Sequence, residues 1–148
     1  MEKGNKDFIQ LFAENFWNNH NIAAFEKYFS ADIIIHSASG DQNGEQYKNV
    51  CQAFFNAFPD LHLTTNDIIA EGDKVAKVWT PNSTHNGEFT GIPPTGKRIG
   101  VKGMEVFRSA DGKIAEVWAS MDNLGMIQQP CNAPPSICLL YTSDAADE

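Results

Sequence analysis

Apolar residues recur at helical spacing through the first sixty positions of the chain. The intervals i, i+3, i+4 and i+8 predict one buried stripe of an N-terminal helix, formed by Phe8, Leu11, Phe12 and Phe16. A short second helix is predicted after Asn21, a suitable cap, with apolar positions at Ile22, Phe25, Tyr28 and Phe29. The β-branched run 33–35 predicts a strand that ends at His36, and the polar segment 37–44 predicts a loop. A third helix is predicted before Pro59, with apolar positions at Tyr47, Val50, Cys51, Phe54 and Phe58.

After Pro59 the pattern changes to the alternation of strands. Strands are predicted at 61–70 and 74–80, joined by a turn at 71–73 and followed by a long proline-containing connection at 81–97. Residues 99–108 and 113–121 predict a hairpin around 110–112. Three helices followed by four antiparallel strands indicate an α+β fold with the helices packed on one face of a curved antiparallel sheet. We expect one domain, 1–130, and a disordered tail, 131–148.

Charge and composition exclude several classes of partner. The chain carries 11 basic and 19 acidic residues, a net charge of −8, and no basic cluster, so nucleic-acid binding is not expected. No apolar run exceeds five residues, and residues 1–7 lack the apolar stretch of a secretory signal, so we expect a cytoplasmic protein without membrane spans. The three cysteines and four histidines show no metal-ligand spacing, so no metal is expected.

The last eleven residues, 138–148, are interpreted separately from the rest of the chain. They resemble the translated read-through of a transposase sequencing adapter, a string that recurs at the ends of unrelated environmental sequences. A natural disordered tail is the alternative. We leave the segment out of the functional interpretation, because an appended adapter peptide has no selected role.

Three strings carry a resemblance to a known family. They are THNGEFTGIPPTGK at 84–97, FRSADGKI at 107–114 and WASMDNLGMIQQ at 118–129. The chain resembles the SnoaL-like polyketide cyclases, also called ester cyclases, of the NTF2-like superfamily, from about Phe8 to Gln129. The resemblance implies a cone-shaped α+β barrel that binds a small hydrophobic or aromatic ligand in an apolar pocket, without a cofactor and frequently as a homodimer.

Asp122 is the first candidate for catalysis. Strand alternation places it on one face with Glu116, Trp118 and Ser120, and a carboxyl beside tryptophan in a poorly hydrated cavity has a raised pKa. The resemblance implies that this aspartate is the acid/base of an intramolecular aldol ring closure. The alternative is that Asp122 caps the helical turn that begins at Asn123.

His85 and His36 are the other catalytic candidates. His85 opens the proline-containing connection and could lie at the pocket rim, and His36 corresponds to a histidine common in these cyclases. Either imidazole could polarise a carbonyl or share a proton with Asp122, and a purely structural hydrogen bond is the alternative for each.

Large apolar side chains are candidates for the pocket wall, although any of them could equally be plain core. They are Trp79, Trp118, Phe16, Phe54 and Met104. Glu105 and Arg108 lie on opposite faces of their strand, so at most one of them points inward.

The resemblance makes a cofactor-independent cyclase or related carbon-acid enzyme the first hypothesis. A non-catalytic small-molecule-binding module is the alternative from another class, since one fold can host both. An epoxide hydrolase would need an arginine between two carboxylates, and the sequence offers only Arg98 and Arg108. A ketosteroid-isomerase reaction would need a tyrosine donor such as Tyr28 or Tyr47.

Overall fold

The computed structural model describes residues 2–122, 125, 126 and 129. The predicted tail, 131–148, and its adapter-like segment, 138–148, lie outside the described residues. The helices are α1 (Glu2–Phe12), α2 (Phe25–Tyr28) and α3 (Gly44–Ala57); a π-helical segment (Ala13–Asn18) and a 3-10 turn (Ile22–Ala24) join the first two. The strands are β1 (Phe29–Ser37), β2 (Gly40–Asn43), β3 (His62–Glu71), β4 (Lys74–Thr84), β5 (Arg98–Ile99), β6 (Gly103–Ala110) and β7 (Lys113–Met121).

The helices agree with the periodicity in position and differ in detail. The buried stripe runs through Ile9 and Phe12 of α1 and on to Phe16 of the π-helical segment, whereas Leu11 is exposed. Asn21 makes no side-chain cap, and the second helix is a single turn because Phe29 already begins β1. Helix α3 starts with a reciprocal capping box, in which Gln46 N donates to Asn43 Oδ1 and Asn43 N donates to Gln46 Oε1, both at 2.9 Å.

The predicted curved sheet is confirmed, and it is mixed rather than wholly antiparallel. Its strand order is β2-β1-β7-β6-β4-β3, and β5 pairs with β4. Strand β1 pairs in parallel with β7, and β2 forms a hairpin with β1 inside the segment predicted as a loop. Bulges interrupt β3 at Asn66 and β7 at Ala115, and bulges of this kind bend and twist a strand.

One face of the sheet packs on the helices and forms the core. The inner face includes Val75, Phe107 and Val117, which are almost fully buried. Aromatic rings fill the space above them: the Phe12 ring lies 5.4 Å from Phe16 and 6.0 Å from Phe107. None of the helices in the described part of the chain combines the length and the apolar character that a membrane crossing needs.

Candidate active site

Two oppositely charged side chains face the interior next to this aromatic layer. Lys77 follows Val75 by two residues on β4, and Glu105 precedes Phe107 by two residues on β6, so alternation turns both toward the helices. Lys77 and Glu105 are direct cross-strand partners. Lys77 is only 2% exposed, whereas Glu105 keeps part of its surface accessible. The inner face of the sheet therefore carries an enclosed acid–base pair.

The enclosure changes the protonation equilibria of both groups. Burial raises the pKa of Glu105, and the positive charge of Lys77 opposes the rise. Burial lowers the pKa of Lys77, and Glu105 opposes that fall. Among the described residues no salt bridge within 4.0 Å joins Lys77 to Glu105. Each charge is thus only partly compensated, and a proton can move within the pair at a smaller cost than in water.

Helix α3 and strand β4 add further polar groups to this layer. Burial raises the pKa of Tyr47 well above its ordinary value, with Cys51 and Glu105 adding to the rise, so the phenol keeps its proton and can donate. Burial also raises the pKa of the Cys51 thiol, which stays protonated. The buried indole N–H of Trp79 makes no hydrogen bond of ordinary geometry to any described residue, yet it favours the charged form of Glu105. Tyr47, Lys77, Glu105 and Trp79 define what we call the inner polar layer.

Glycine at position 103 lets Trp79 occupy its place in this layer. Gly103 is the cross-strand partner of Trp79, and a Cβ atom built on it would lie 2.1 Å from the indole ring. The indole therefore lies across β6 where any side chain would collide with it. Glycine is required at position 103 because it has no Cβ, which lets the indole of Trp79 approach the backbone of β6; no unusual backbone angle is involved.

Several apolar side chains on this side of the molecule are only partly buried. They pack against the core and yet keep accessible surface: Tyr47, Phe54, Phe89, Ala119 and Met121. Ala119 is the cross-strand partner of Glu105, and Met121 is the partner of Gly103. The Phe54 and Phe89 rings lie 5.5 Å apart. Glu105 therefore has a partly accessible apolar neighbour in Ala119, which pairs with it directly.

Asp122 lies directly after β7 and is exposed. Its Oδ1 accepts a hydrogen bond from Gly125 N at 2.9 Å, and its carbonyl accepts from Met126 N at 3.1 Å, so it caps the turn as the alternative interpretation had it. The predicted placement in a cavity beside Trp118 is wrong, because Trp118 faces away from the helices. A catalytic role for Asp122 stays a prediction.

His36 belongs to an ionic network on the outer face of the sheet. Its Nδ1 lies 2.8 Å from Asp41 Oδ1 and its Nε2 lies 2.6 Å from Glu116 Oε2. These hydrogen bonds, that to Glu116 first, raise the pKa of His36, since only the imidazolium can donate from both nitrogens. Arg108 Nε also donates to Glu116, at 3.1 Å.

His85 is buried rather than at a rim. Its Nδ1 lies 3.0 Å from Thr95 Oγ1, and its Nε2 has no partner among the described residues. Burial lowers the pKa of His85, so the ring is neutral near pH 7. The His85 backbone binds Thr95, Gly96 and Lys97, which ties together the two ends of the connecting segment. His85, His36 and Asp122 therefore have separate hydrogen-bond partners.

The predicted wall residues divide between the two faces of the sheet. Trp79 and Phe54 lie on the inner side, and Phe16 is fully enclosed among other rings. Trp118 and Met104 lie on the outer face, where they line a shallow groove of about 650 Å³ with His36. The alternation of side chains along β7 was predicted correctly, but the face that carries Trp118 is the outer one. Trp118 pairs with outward-facing Val106, and its ring centre lies 5.5 Å from that of His36 in a stacked arrangement.

The sequence interpretation missed Lys77 and left Glu105 undecided. The signal was present, because each stands two residues from a buried apolar residue of its own strand, Val75 or Phe107. The structure turns Glu105 inward and Arg108 outward. Among the described residues no group of three or more His, Cys, Asp and Glu side chains is arranged to hold a metal ion.

The fold, with helices packed on a strongly curved mixed sheet, is that of the NTF2-like proteins. More particularly, the chain belongs to the SnoaL-like polyketide cyclase family, whose sequence model matches residues 8–130. Among curated proteins none is similar enough in sequence to match.

Several solved structures resemble the chain over most of its length. AclR of Streptomyces galilaeus, a proposed hydroxylase, is 30% identical with a TM-score of 0.82, over 90% of this chain and 100% of its own. IdmH of Streptomyces antibioticus, a proposed polyketide cyclase, is 30% identical with a TM-score of 0.73, over 84% of this chain and 96% of its own. A proposed SnoaL-like cyclase of Jannaschia sp. CCS1 shares the fold at 20% identity, with a TM-score of 0.81 over 90% of this chain and 95% of its own.

Proposed function

We propose that this chain is a cofactor-independent acid/base enzyme that closes a ring, or performs related carbon-acid chemistry, on a polyketide-like or aromatic ester. Family membership leaves the reaction open, because the two relatives at 30% identity are a proposed hydroxylase and a proposed cyclase. The observation that carries the proposal is the enclosed Lys77–Glu105 pair on the inner face of the sheet.

Glu105 is the proposed proton carrier. A carboxyl whose pKa burial raises toward the working pH exchanges protons with a carbon acid more effectively than an exposed carboxyl. The nearby Lys77 charge keeps a basic carboxylate available. Glu105 would take a proton from the carbon next to a substrate carbonyl, and the resulting enolate would attack a second carbonyl of the same molecule.

Tyr47 is the proposed donor to the developing enolate oxygen. Its phenol stays protonated and lies in the same layer as Glu105, which is where a hydrogen bond to that oxygen would be needed. The same pairing of a carboxyl with a phenol also suits an isomerisation by proton shift. The epoxide-hydrolase alternative lacks its arginine, because Arg108 binds Glu116 on the outer face and exposed Arg98 binds Asn82.

Asp122 remains the competing acid/base group. It follows Met121, whose partly exposed side chain packs against the core at the end of β7, and the family resemblance favours it. Turnover of a cyclisable polyketide ester by Glu105→Gln and by Asp122→Asn distinguishes the two candidate residues. We expect the larger loss of turnover in Glu105→Gln. The reverse order would transfer the role to Asp122.

Binding of a flat aromatic ester is the simpler test of the site itself. Trp79 in the inner polar layer and Trp118 in the outer groove are matched reporters, one on each face. We expect ligand-dependent fluorescence change to be lost in Trp79→Phe and kept in Trp118→Phe. Loss in Trp118→Phe alone would place the ligand in the outer groove, and binding without turnover of any ester would favour a non-catalytic binding module.

A further inference from the structure

The Lys77 amine has a chemistry of its own that proton transfer by Glu105 does not use. We propose that Lys77 Nζ condenses with the carbonyl of a ketone or aldehyde ligand held in the inner polar layer, forming a covalent imine. The inference goes beyond the proposed function, because an imine requires a nucleophilic amine and not only a base.

The surroundings of Lys77 are those of an activated amine. Val75 and Trp79 flank it on the same face of β4, and both are buried. Its Nζ lies 6.0 Å from the centre of the Phe107 ring. Burial also lowers the pKa of Lys77, so the free amine is more abundant near pH 7 than at an exposed lysine. Desolvation in an apolar pocket is one established way to make lysine a nucleophile.

Glu105 is placed to move the protons that imine formation requires. Its carboxyl is the cross-strand neighbour of Lys77, yet no salt bridge within 4.0 Å joins the two among the described residues. A proton that passes from Lys77 to Glu105 leaves a neutral amine beside a neutral acid. A ligand carbonyl could then approach through the side on which Glu105 and Ala119 keep accessible surface.

The reaction balances without an oxidant or a cofactor. The amine nitrogen bonds to the carbonyl carbon while one proton moves from nitrogen to the carbonyl oxygen, which gives a carbinolamine. Glu105 protonates its hydroxyl, the carbon–oxygen bond breaks, and water leaves with that oxygen. The product is a protonated imine beside a carboxylate. If the proposed ring closure also holds, this carboxylate could take the proton from the carbon that the imine acidifies.

The probe for the test is acetylacetone, a small 1,3-diketone whose condensation with an amine gives a stable conjugated product. The full chain is incubated with the probe near pH 7, and the modified position is mapped by peptide mass spectrometry. We expect an adduct with the mass of the probe less one water at Lys77, exceeding the adduct at Lys74 several-fold. Lys74 is the matched control, since it lies on the same strand with its amine on the exposed outer face over Trp118.

Two variants complete the experiment. Lys77→Met should remove most of the near-ultraviolet absorbance of the conjugated product, whereas Lys74→Met should remove little of it. Modification of exposed lysines with Lys77 unmodified would overturn the proposal, and the wild-type map decides this even where Lys77→Met does not fold. The adduct is measured without any turnover, so its absence would leave the ring-closure proposal to be judged by its own assay.

Discussion

The sheet carries a cross-strand pair of opposite charge on each face. The inner pair is Lys77 and Glu105, and the outer pair is Arg108 and Glu116. On the outer face Arg108 Nε donates to Glu116 at 3.1 Å, and hydrogen bonds from His36 and Arg108 lower the pKa of Glu116. In the described part of the inner face no comparable bond joins Lys77 to Glu105, and burial raises the pKa of Glu105. Two glutamates eleven positions apart are thus shifted in opposite directions by their surroundings.

The difference shows which face can perform proton chemistry. A carboxylate that is hydrogen-bonded in its charged form holds that form over a wide range of pH and gives little driving force for taking a proton. A carboxyl that is desolvated, with a partner charge nearby but not bonded to it, exchanges its proton more readily. The outer pair is a hydrogen-bonded ion pair at the surface, and the inner pair is the better candidate for catalysis.

The largest expected effect is on turnover. Glu105→Gln keeps the shape of the side chain but cannot accept a substrate proton, so kcat should fall about 10²–10⁴-fold, the usual contribution of a positioned proton-transfer group. Glu116→Gln on the outer face is the matched variant and should leave kcat unchanged. The measurement is steady-state kinetics on a cyclisable ester. Equal effects of the two substitutions would remove the distinction between the faces.

The next effect is on stability. Lys77→Met leaves Glu105 enclosed without its counter-charge and should lower the free energy of unfolding by about 3 kcal/mol. The double variant Lys77→Met/Glu105→Leu should return to within about 1 kcal/mol of the wild type, because no buried charge remains. Arg108→Met on the outer face should cost less than Lys77→Met, since solvent screens that pair.

Urea unfolding of these four proteins and of the single variant Glu105→Leu provides the measurement. A double variant that is as unstable as the sum of two independent losses would show that the inner pair is not coupled. A loss in Arg108→Met that matches the loss in Lys77→Met would show that enclosure does not distinguish the pairs.

The sequence predicted which parts of the chain form helices and which form strands, but it did not predict which face of the sheet is buried. Helical spacing before Pro59 and alternation after it specify local structure, so three helices and a curved sheet could be predicted. Alternation also grouped Glu116, Trp118 and Ser120 correctly on one face. It cannot tell which face is inside, because a period of two is symmetric and needs a known buried residue as its reference.

Contacts between distant segments explain most of what was missed. The parallel pairing of β1 with β7 joins residues about 80 positions apart, as in the bond from His36 to Glu116, and no local pattern encodes it. The size of Trp118 suggested a pocket wall, but its ring is covered by His36 and Lys74 instead of the helices. Had Phe107 been used as the reference, Glu105 would have been predicted to face inward.

A third effect concerns association through the outer face. Met104 and Ile69 are 60% and 63% exposed there, and the family resemblance predicts a homodimer. If copies pair through this patch, Met104→Glu should shift the protein toward monomer in analytical ultracentrifugation. Leu11→Glu is the control, because Leu11 is 53% exposed but lies on α1. A dimer that is unaffected by Met104→Glu, or a monomeric wild type, would show that copies do not associate through the outer face. The Arg108–Glu116 pair would then face solvent.

The smallest expected effect is the pH dependence that the outer network gives to stability. The pKa of His36 is raised in the folded protein by Glu116 and Asp41, so folding strengthens proton binding at this ring. Its stabilising contribution is therefore complete below the unfolded value of about 6.5 and is lost as the pH rises through the higher folded value. The melting temperature of the wild type should exceed that of His36→Gln at pH 6, and the difference should shrink with increasing pH. His85 supplies the opposite case: burial lowers its folded pKa, so its stabilising contribution is present above about pH 6.5 and is lost as the pH falls through the folded value. The difference in melting temperature between the wild type and His85→Gln should consequently grow with increasing pH up to about 6.5. If the differences for His36→Gln and His85→Gln changed with pH in the same direction, His36 would not belong to a charged network or His85 to a neutral buried site.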